Sequence, residues 1–201
     1  MKLYGHPDSG HAFKIKFCLS AADFEHDYEV IDIFSPRETR NPDFVCRSKF
    51  CEVPLLVDGE QSLIQSGAIL THIAQKHQLF GGESEAVMQH CLQWLLWEAN
   101  KIGMCLPQLR AHQKFSDSKL GEGAKQWLEN RYTHDVGVLN NELQDGRPFI
   151  LGDSVTIADF ALSGYLFFAD EAKVNVPSHV DTWLSTLSKL EGWAKPADLL
   201  A

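Results

Sequence analysis

The chain has 201 residues, 44% of them hydrophobic and 22% charged, with a formal net charge of −9. Twelve Phe and five Trp bury enough apolar surface to offset chain entropy, which excludes a mainly disordered protein. No apolar run reaches the roughly 18–20 residues that span a bilayer, and an acidic chain without clustered Lys and Arg is a poor partner for nucleic acid.

The N-terminal segment has no apolar stretch of signal-peptide length. The five cysteines, Cys18, Cys46, Cys51, Cys91 and Cys105, are odd in number and form no Cys-x-x-Cys. Reduced thiols in a cytoplasmic protein are expected, not a disulfide framework. Lys2–Gly5 reads as a strand that enters the turn-rich His6-Pro7-Asp8-Ser9-Gly10. Ile15, Cys18, Leu19 and Ala22 then follow at helical spacing, so a helix starts near Gly10. A second strand is expected over Asp27–Ile33, and Asn41-Pro42 reads as an N-cap with a first-turn proline. Pro54–Val57 and Ser62–Ile64 form a hairpin, read as a type I′ turn on Asp58-Gly59. A third helix covers Ser66–Lys76, and Gly81-Gly82-Glu83-Ser84 reads as a linker.

The remainder is helical. Met88, Cys91, Leu92, Leu95, Ala99 and Ile102 form one stripe on a long helix that Pro107 should kink or end. A second stripe runs from Ala124 to Leu143. Ile157–Ala169 is apolar on nearly every face and belongs in the middle of a bundle. Val180, Trp183, Leu184 and Leu187 mark a further helix. The expected layout is a small α/β domain over residues 1–80 and an all-α domain over 85–201.

Four stretches, in order, resemble the cytosolic glutathione transferases, serine-type members of phi-like and bacterial kind. They are Lys2-Leu-Tyr-Gly-His-Pro-Asp-Ser9, Glu52-Val53-Pro54, Gln65-Ser66-Gly-Ala-Ile69, and Gly152-Asp-Ser-Val-Thr156-Ile-Ala-Asp159. The resemblance implies an α/β thioredoxin-like N-terminal domain, an all-α C-terminal bundle, glutathione as co-substrate, a homodimer and a role in detoxification. It also implies a cis bond before Pro54.

Each motif has a chemistry of its own. Ser9 lies between a strand and a helix, where free N–H groups and the helix dipole stabilise an anion. A thiol of ordinary pKa near 8.5 is little ionised at neutral pH, so a hydroxyl donated to sulfur would favour the thiolate. Ser9 is therefore the candidate catalytic residue; the competing reading is a plain N-cap. His11 is a candidate for the thiol site, whereas His6 reads as a turn residue. The resemblance assigns glutathione binding to Ser9, Arg40, Glu52, Val53, Pro54, Gln65 and Ser66. Val53 would offer its backbone as a short added strand, and the start of the helix at Ser66 would hold a carboxylate.

Relatives carry Gly and then Gln or Lys before the proline; this chain has Cys51-Glu52. Glu52 would repel a glycyl carboxylate, with Arg40 as the compensating cation. Trp97, Asn100, Met104 and Phe115 are candidates for the second-substrate site. Thr156 and Asp159 read as a structural cap. No Cys or His cluster has zinc spacing, so no metal is expected. The expected function is transfer of the glutathione thiolate to a small, apolar electrophile. The alternatives are glutathione-dependent peroxide or disulfide reduction or isomerisation, and a noncatalytic scaffold.

Overall fold

The computed structural model describes residues 1–201. Strand β1 (Lys2–Gly5) pairs in parallel with β2 (Asp27–Val30) and antiparallel with β3 (Leu55–Asp58). Strand β4 (Gln61–Ile64) completes a sheet of order β2-β1-β3-β4. A parallel pair needs a long crossover, and helix α1 (Gly10–Ala21) supplies it. Adjacent residues of β1 face opposite sides of the sheet. Leu3 enters the main core of 39 residues, while Tyr4 joins Ile31, Phe44, Cys51 and Leu55 in a small cluster.

Helix α2 (Pro42–Arg47) begins as expected, with the Asn41 side chain accepting from the Asp43 N–H at 2.8 Å. Helix α3 (Ser66–His77) follows β4 directly. Helices α4 (Glu85–Asn100), α5 (Ile102–Lys114), α6 (Glu122–Glu142), α7 (Ile157–Leu166), α8 (Ala169–Ala172), α9 (Ser178–Leu187) and α10 (Pro196–Leu199) form the C-terminal half. All ten residues of α7 are buried, as an all-round apolar helix requires. The large core runs without a break through both halves of the chain.

Four local expectations need correction. Strand β2 ends at Val30, because Asp32 accepts from the N–H groups of Phe34 and Ser35 and turns the chain away. Asp58 pairs with Gln61, so the hairpin loop is Gly59-Glu60. Only Gly59 has a positive φ there, +61°, the glycine-first pattern of a type II′ turn. The long helix breaks at Lys101, six residues before Pro107, and α5 runs through Pro107 to Lys114. The break brings the chain close to Gly103, where a Cβ would stand 2.9 Å from the Glu98 carbonyl oxygen. The last apolar helix stops at Leu166 and resumes as the short α8, instead of running on to Ala169.

Thr156 and Asp159 form a capping box at the start of α7. The buried Asp159 carboxylate also collects the Ile150 N–H (2.8 Å), the Thr156 N–H (2.8 Å) and the Trp183 indole N–H (2.9 Å). It thus joins the loop before α7 to α9. Replacing Asp159 with Ala strands these donors in the core, and a loss of about 3 kcal/mol or more of stability is expected. Chemical unfolding of the two proteins checks this; an unchanged midpoint refutes it.

Candidate functional site

Chain direction changes sharply between β1 and α1. His6 Nδ1 accepts from the Asp8 N–H at 3.0 Å, which makes it a turn residue. Ser9 is the N-cap of α1: its hydroxyl oxygen accepts from the Ala12 N–H at 3.1 Å, and the side chain is buried. That bond leaves the hydroxyl proton free to donate. Two residues on, in the first turn of α1, stands His11.

Gln65 holds φ +69°, in the left-handed region that residues other than glycine seldom adopt. The bend swings the chain from β4 into α3, so Ser66 is the first helical residue and Gln65 the cap position. Ser66 Oγ then lies 3.4 Å from His11 Nδ1. The N-terminal turns of α1 and α3 therefore meet. Their free N–H groups and positive dipole ends share one region.

That meeting point forms part of the wall of a cleft of about 770 Å³ between the two halves. The volume is within the range of small-ligand sites. From the N-terminal half come His11, Lys14, Glu52, Val53, Pro54, Gln65 and Ser66. The Val53-Pro54 bond is cis. Leu92, Leu95, Leu96 and Ala99 line the opposite side, with Glu98, Gly103 and Ala161. Leu92, Leu95, Leu96 and Ala99 are spaced i, i+3, i+4, i+7, one face of α4.

Not every expected residue reaches the cleft. Ser9 caps α1 just outside the lining set. Arg40 is tied to the carbonyls of Ile33 (2.8 Å), Ser35 (3.1 Å) and Cys51 (2.8 Å), so it braces the loop ahead of Glu52. Trp97 packs edge-on against Trp94, and Phe115 against Phe34. Asn100 ends α4, and Met104 Sδ faces the Gln108 amide. None of the four lies on the cleft-facing stripe of α4.

Two residues that sequence reasoning missed are Lys14 and Glu98. Their side chains meet at 2.8 Å, with 1% and 4% of their surfaces exposed, and join α1 to α4. They stand 84 positions apart, so no local pattern announces the pair. The nearest signal is Lys14 set between Phe13 and Ile15 in an apolar helix, which Lys16 shares. No group of three His, Cys, Asp or Glu side chains is arranged to hold a metal ion, and no helix is long and apolar enough to cross a membrane.

Comparison with known proteins agrees with this architecture. Residues 1–75 match the N-terminal domain of glutathione S-transferase and residues 124–195 its C-terminal domain. Glutathione S-transferase 1 of Zea mays is 28% identical over 213 residues, covering 100% of this chain and 97% of that one. The disulfide-bond oxidoreductase YfcG of Escherichia coli is 29% identical over 161 residues, 76% of this chain and 72% of its own. A glutathione S-transferase structure from Xanthobacter autotrophicus superposes with a TM-score of 0.84 at 23% identity, covering 100% and 99% of the two chains.

Burial depresses the His11 imidazole to about 3, with the Lys14 charge adding to the effect. The unfolded chain binds this proton below about pH 6.5 and the folded one only near 3. Stability is therefore full above pH 6.5 and falls as the pH drops toward 4, by at most ~1.4 kcal/mol per pH unit. His11→Gln should flatten that part of the profile in urea unfolding measured from pH 7 to 4; an identical slope refutes it.

Proposed function

This chain belongs to the glutathione S-transferase family, and from that premise we propose that its cleft holds glutathione as the thiolate and transfers it to a small electrophile. The observation that carries the reading is the convergence of two helix N-termini, at His11 and Ser66, on one wall of the cleft. Sulfur lies at the start of α1 and the γ-glutamyl carboxylate at the start of α3, each stabilised by free N–H groups and the dipole. Gln65 adds an amide donor, and the Val53 backbone pairs with the tripeptide as a short added strand.

Lowering a thiol pKa by two units needs about 2.7 kcal/mol of preferential interaction with the thiolate. The Ser9 hydroxyl, with its proton uncommitted, and the helix terminus are the groups to supply it. In the reaction the thiolate attacks an electron-poor carbon. The new C–S bond forms as the leaving group departs, or as an adduct takes up a proton. Arg40 acts on glutathione indirectly, by bracing the Cys51-Glu52 loop.

Disulfide reduction is the second reading, favoured by the kinship with YfcG. No cysteine lines the cleft, so such chemistry would run through glutathione sulfur alone. A homodimer in the cytoplasm is the expected working form, and light scattering measures the first of these.

Ser9→Ala should lower kcat/KM with an aryl halide electrophile at least about tenfold, the equivalent of ~1.4 kcal/mol of lost transition-state stabilisation. The lost cap should cost about 1 kcal/mol of stability as well. Full activity in Ser9→Ala together with loss in His11→Gln would move the thiol site to His11.

Glu52 is exposed at the cleft and adds negative charge where an anionic tripeptide binds. Glu52→Gln should tighten glutathione binding about two- to fivefold, the scale of one partly screened charge. Calorimetric titration at low salt reads this directly; equal or weaker affinity refutes it.

A further inference from the structure

The peptide unit between Asp8 and Ser9 is held at both of its polar groups. Its N–H donates to the His6 carbonyl at 2.9 Å, and its carbonyl accepts from Arg110 Nη1 at 2.6 Å. Arg110 Nη2 also bonds Asp8 Oδ1 at 2.8 Å, and Nε bonds Glu171 at 3.0 Å. The Arg110 side chain is 3% exposed, and its guanidinium lies over the Phe168 ring. A buried guanidinium tied at all three nitrogens is a rigid anchor. The surrounding charges are Arg110 and Lys114 against Asp8 and Glu171. They cancel, so the cluster supplies position, not field, to the start of α1.

Holding that peptide plane sets the Ser9 φ at −98°, from which Ser9 Oγ meets the Ala12 N–H. The helix itself is placed by another contact, Gly10 under the Tyr165 ring. Only the hydroxyl at its start depends on Arg110. We propose that Arg110, from the C-terminal half, is the positioning residue that aims the Ser9 hydroxyl at the glutathione sulfur. Arg110 does not line the cleft; it acts through the Asp8–Ser9 peptide, and Ser9 makes the contact. This rests on the reading of the cleft as a site that holds the thiolate.

The test follows the ultraviolet thiolate absorbance of bound glutathione against pH, with S-methylglutathione as the blank. Arg110→Lys keeps the charge but cannot grip the carbonyl and the carboxylate together. It should raise the pKa of the bound thiol by about one unit, a tenfold smaller ratio of thiolate to thiol at neutral pH. Calorimetric affinity for S-methylglutathione, which has no thiol proton to lose, should match the wild type. Ser9→Ala/Arg110→Lys should titrate as Ser9→Ala alone, because the two residues act as one unit. Lys114→Met spares the Asp8 carbonyl bond and should leave the thiol near its wild-type value. Asp8→Ala removes the carboxylate grip at a less buried position and should shift the thiol the same way by less.

An unmoved thiol in Arg110→Lys overturns the proposal; if that variant does not fold, an unmoved thiol in Asp8→Ala does so. Additive effects in the double variant, lost affinity for S-methylglutathione in Arg110→Lys, or an equal shift in Lys114→Met also overturn it. A second readout needs no glutathione. Amide exchange at Ala12, whose N–H donates to Ser9 Oγ, should quicken in Arg110→Lys, and an unchanged rate overturns the proposal. If the wild-type thiol titrates at its ordinary value while Ala12 exchange still depends on Arg110, the thiolate reading is refuted and the positioning of Ser9 stands.

Discussion

The closeness of α1 to α7 sets the positions of almost everything else. Gly10 lies under the Tyr165 ring, which a Cβ would meet at 2.8 Å, and Gly164 lies under the Lys14 stem. With a glycine on each helix, the side chain of each partner lies directly on the other's backbone. Helix α1 is thereby buried on both sides, against the sheet and against the most apolar helix of the bundle. One rigid element belongs to both halves of the chain. Its first turn forms part of the cleft wall, so packing in the core fixes the geometry of the site.

A second constraint acts just ahead of that turn. Arg110, buried on α5, donates to the Asp8 carbonyl at 2.6 Å and to Asp8 Oδ1 at 2.8 Å, and its guanidinium lies 4.2 Å over the Phe168 ring. Glu171 accepts from its Nε at 3.0 Å, and Lys114 bonds the same Asp8 and Glu171 carboxylates. The loop that presents Ser9 is therefore held from the C-terminal half. The cations hold the Asp8 carboxyl below the ordinary range despite the opposing effect of burial. A planar guanidinium suits this double grip on a backbone oxygen and a carboxylate, which an ammonium would not reproduce.

Features set by local chemistry were legible in the sequence. The Asn41-Pro42 start, the Thr156–Asp159 cap and the fully buried α7 follow from neighbouring residue types, and the structure has all three. Features set by distant partners were not. The pattern Ile15, Cys18, Leu19, Ala22 describes one face of α1, but Phe13 and Phe17 are buried as well, so the helix has almost no polar side. Lys14 is half of an ion pair whose other half lies on α4. The expected second-substrate residues rest on position along the chain and residue type. Helical phase decides instead: Trp97 is two residues beyond Leu95 and points about 200° away around α4.

The acidic character of the chain and the anionic ligand proposed for it are compatible because the relevant field is local. Charges separated by more than about 8 Å of salt solution are largely screened, so the net −9 has little effect inside the cleft. Contact-distance charges are few. Lys14 and Glu98 cancel, His11 is neutral, and Glu52 is the one carboxylate at the lining without a basic partner. Attraction for an anion must then come from backbone N–H groups at the starts of α1 and α3, which are fixed by hydrogen bonding and need no counter-charge. A lysine in their place would attract more strongly but would also attract every other anion. Oriented amides bind only a ligand whose two ends match the spacing of the helix starts, which meet where Ser66 Oγ lies 3.4 Å from His11 Nδ1.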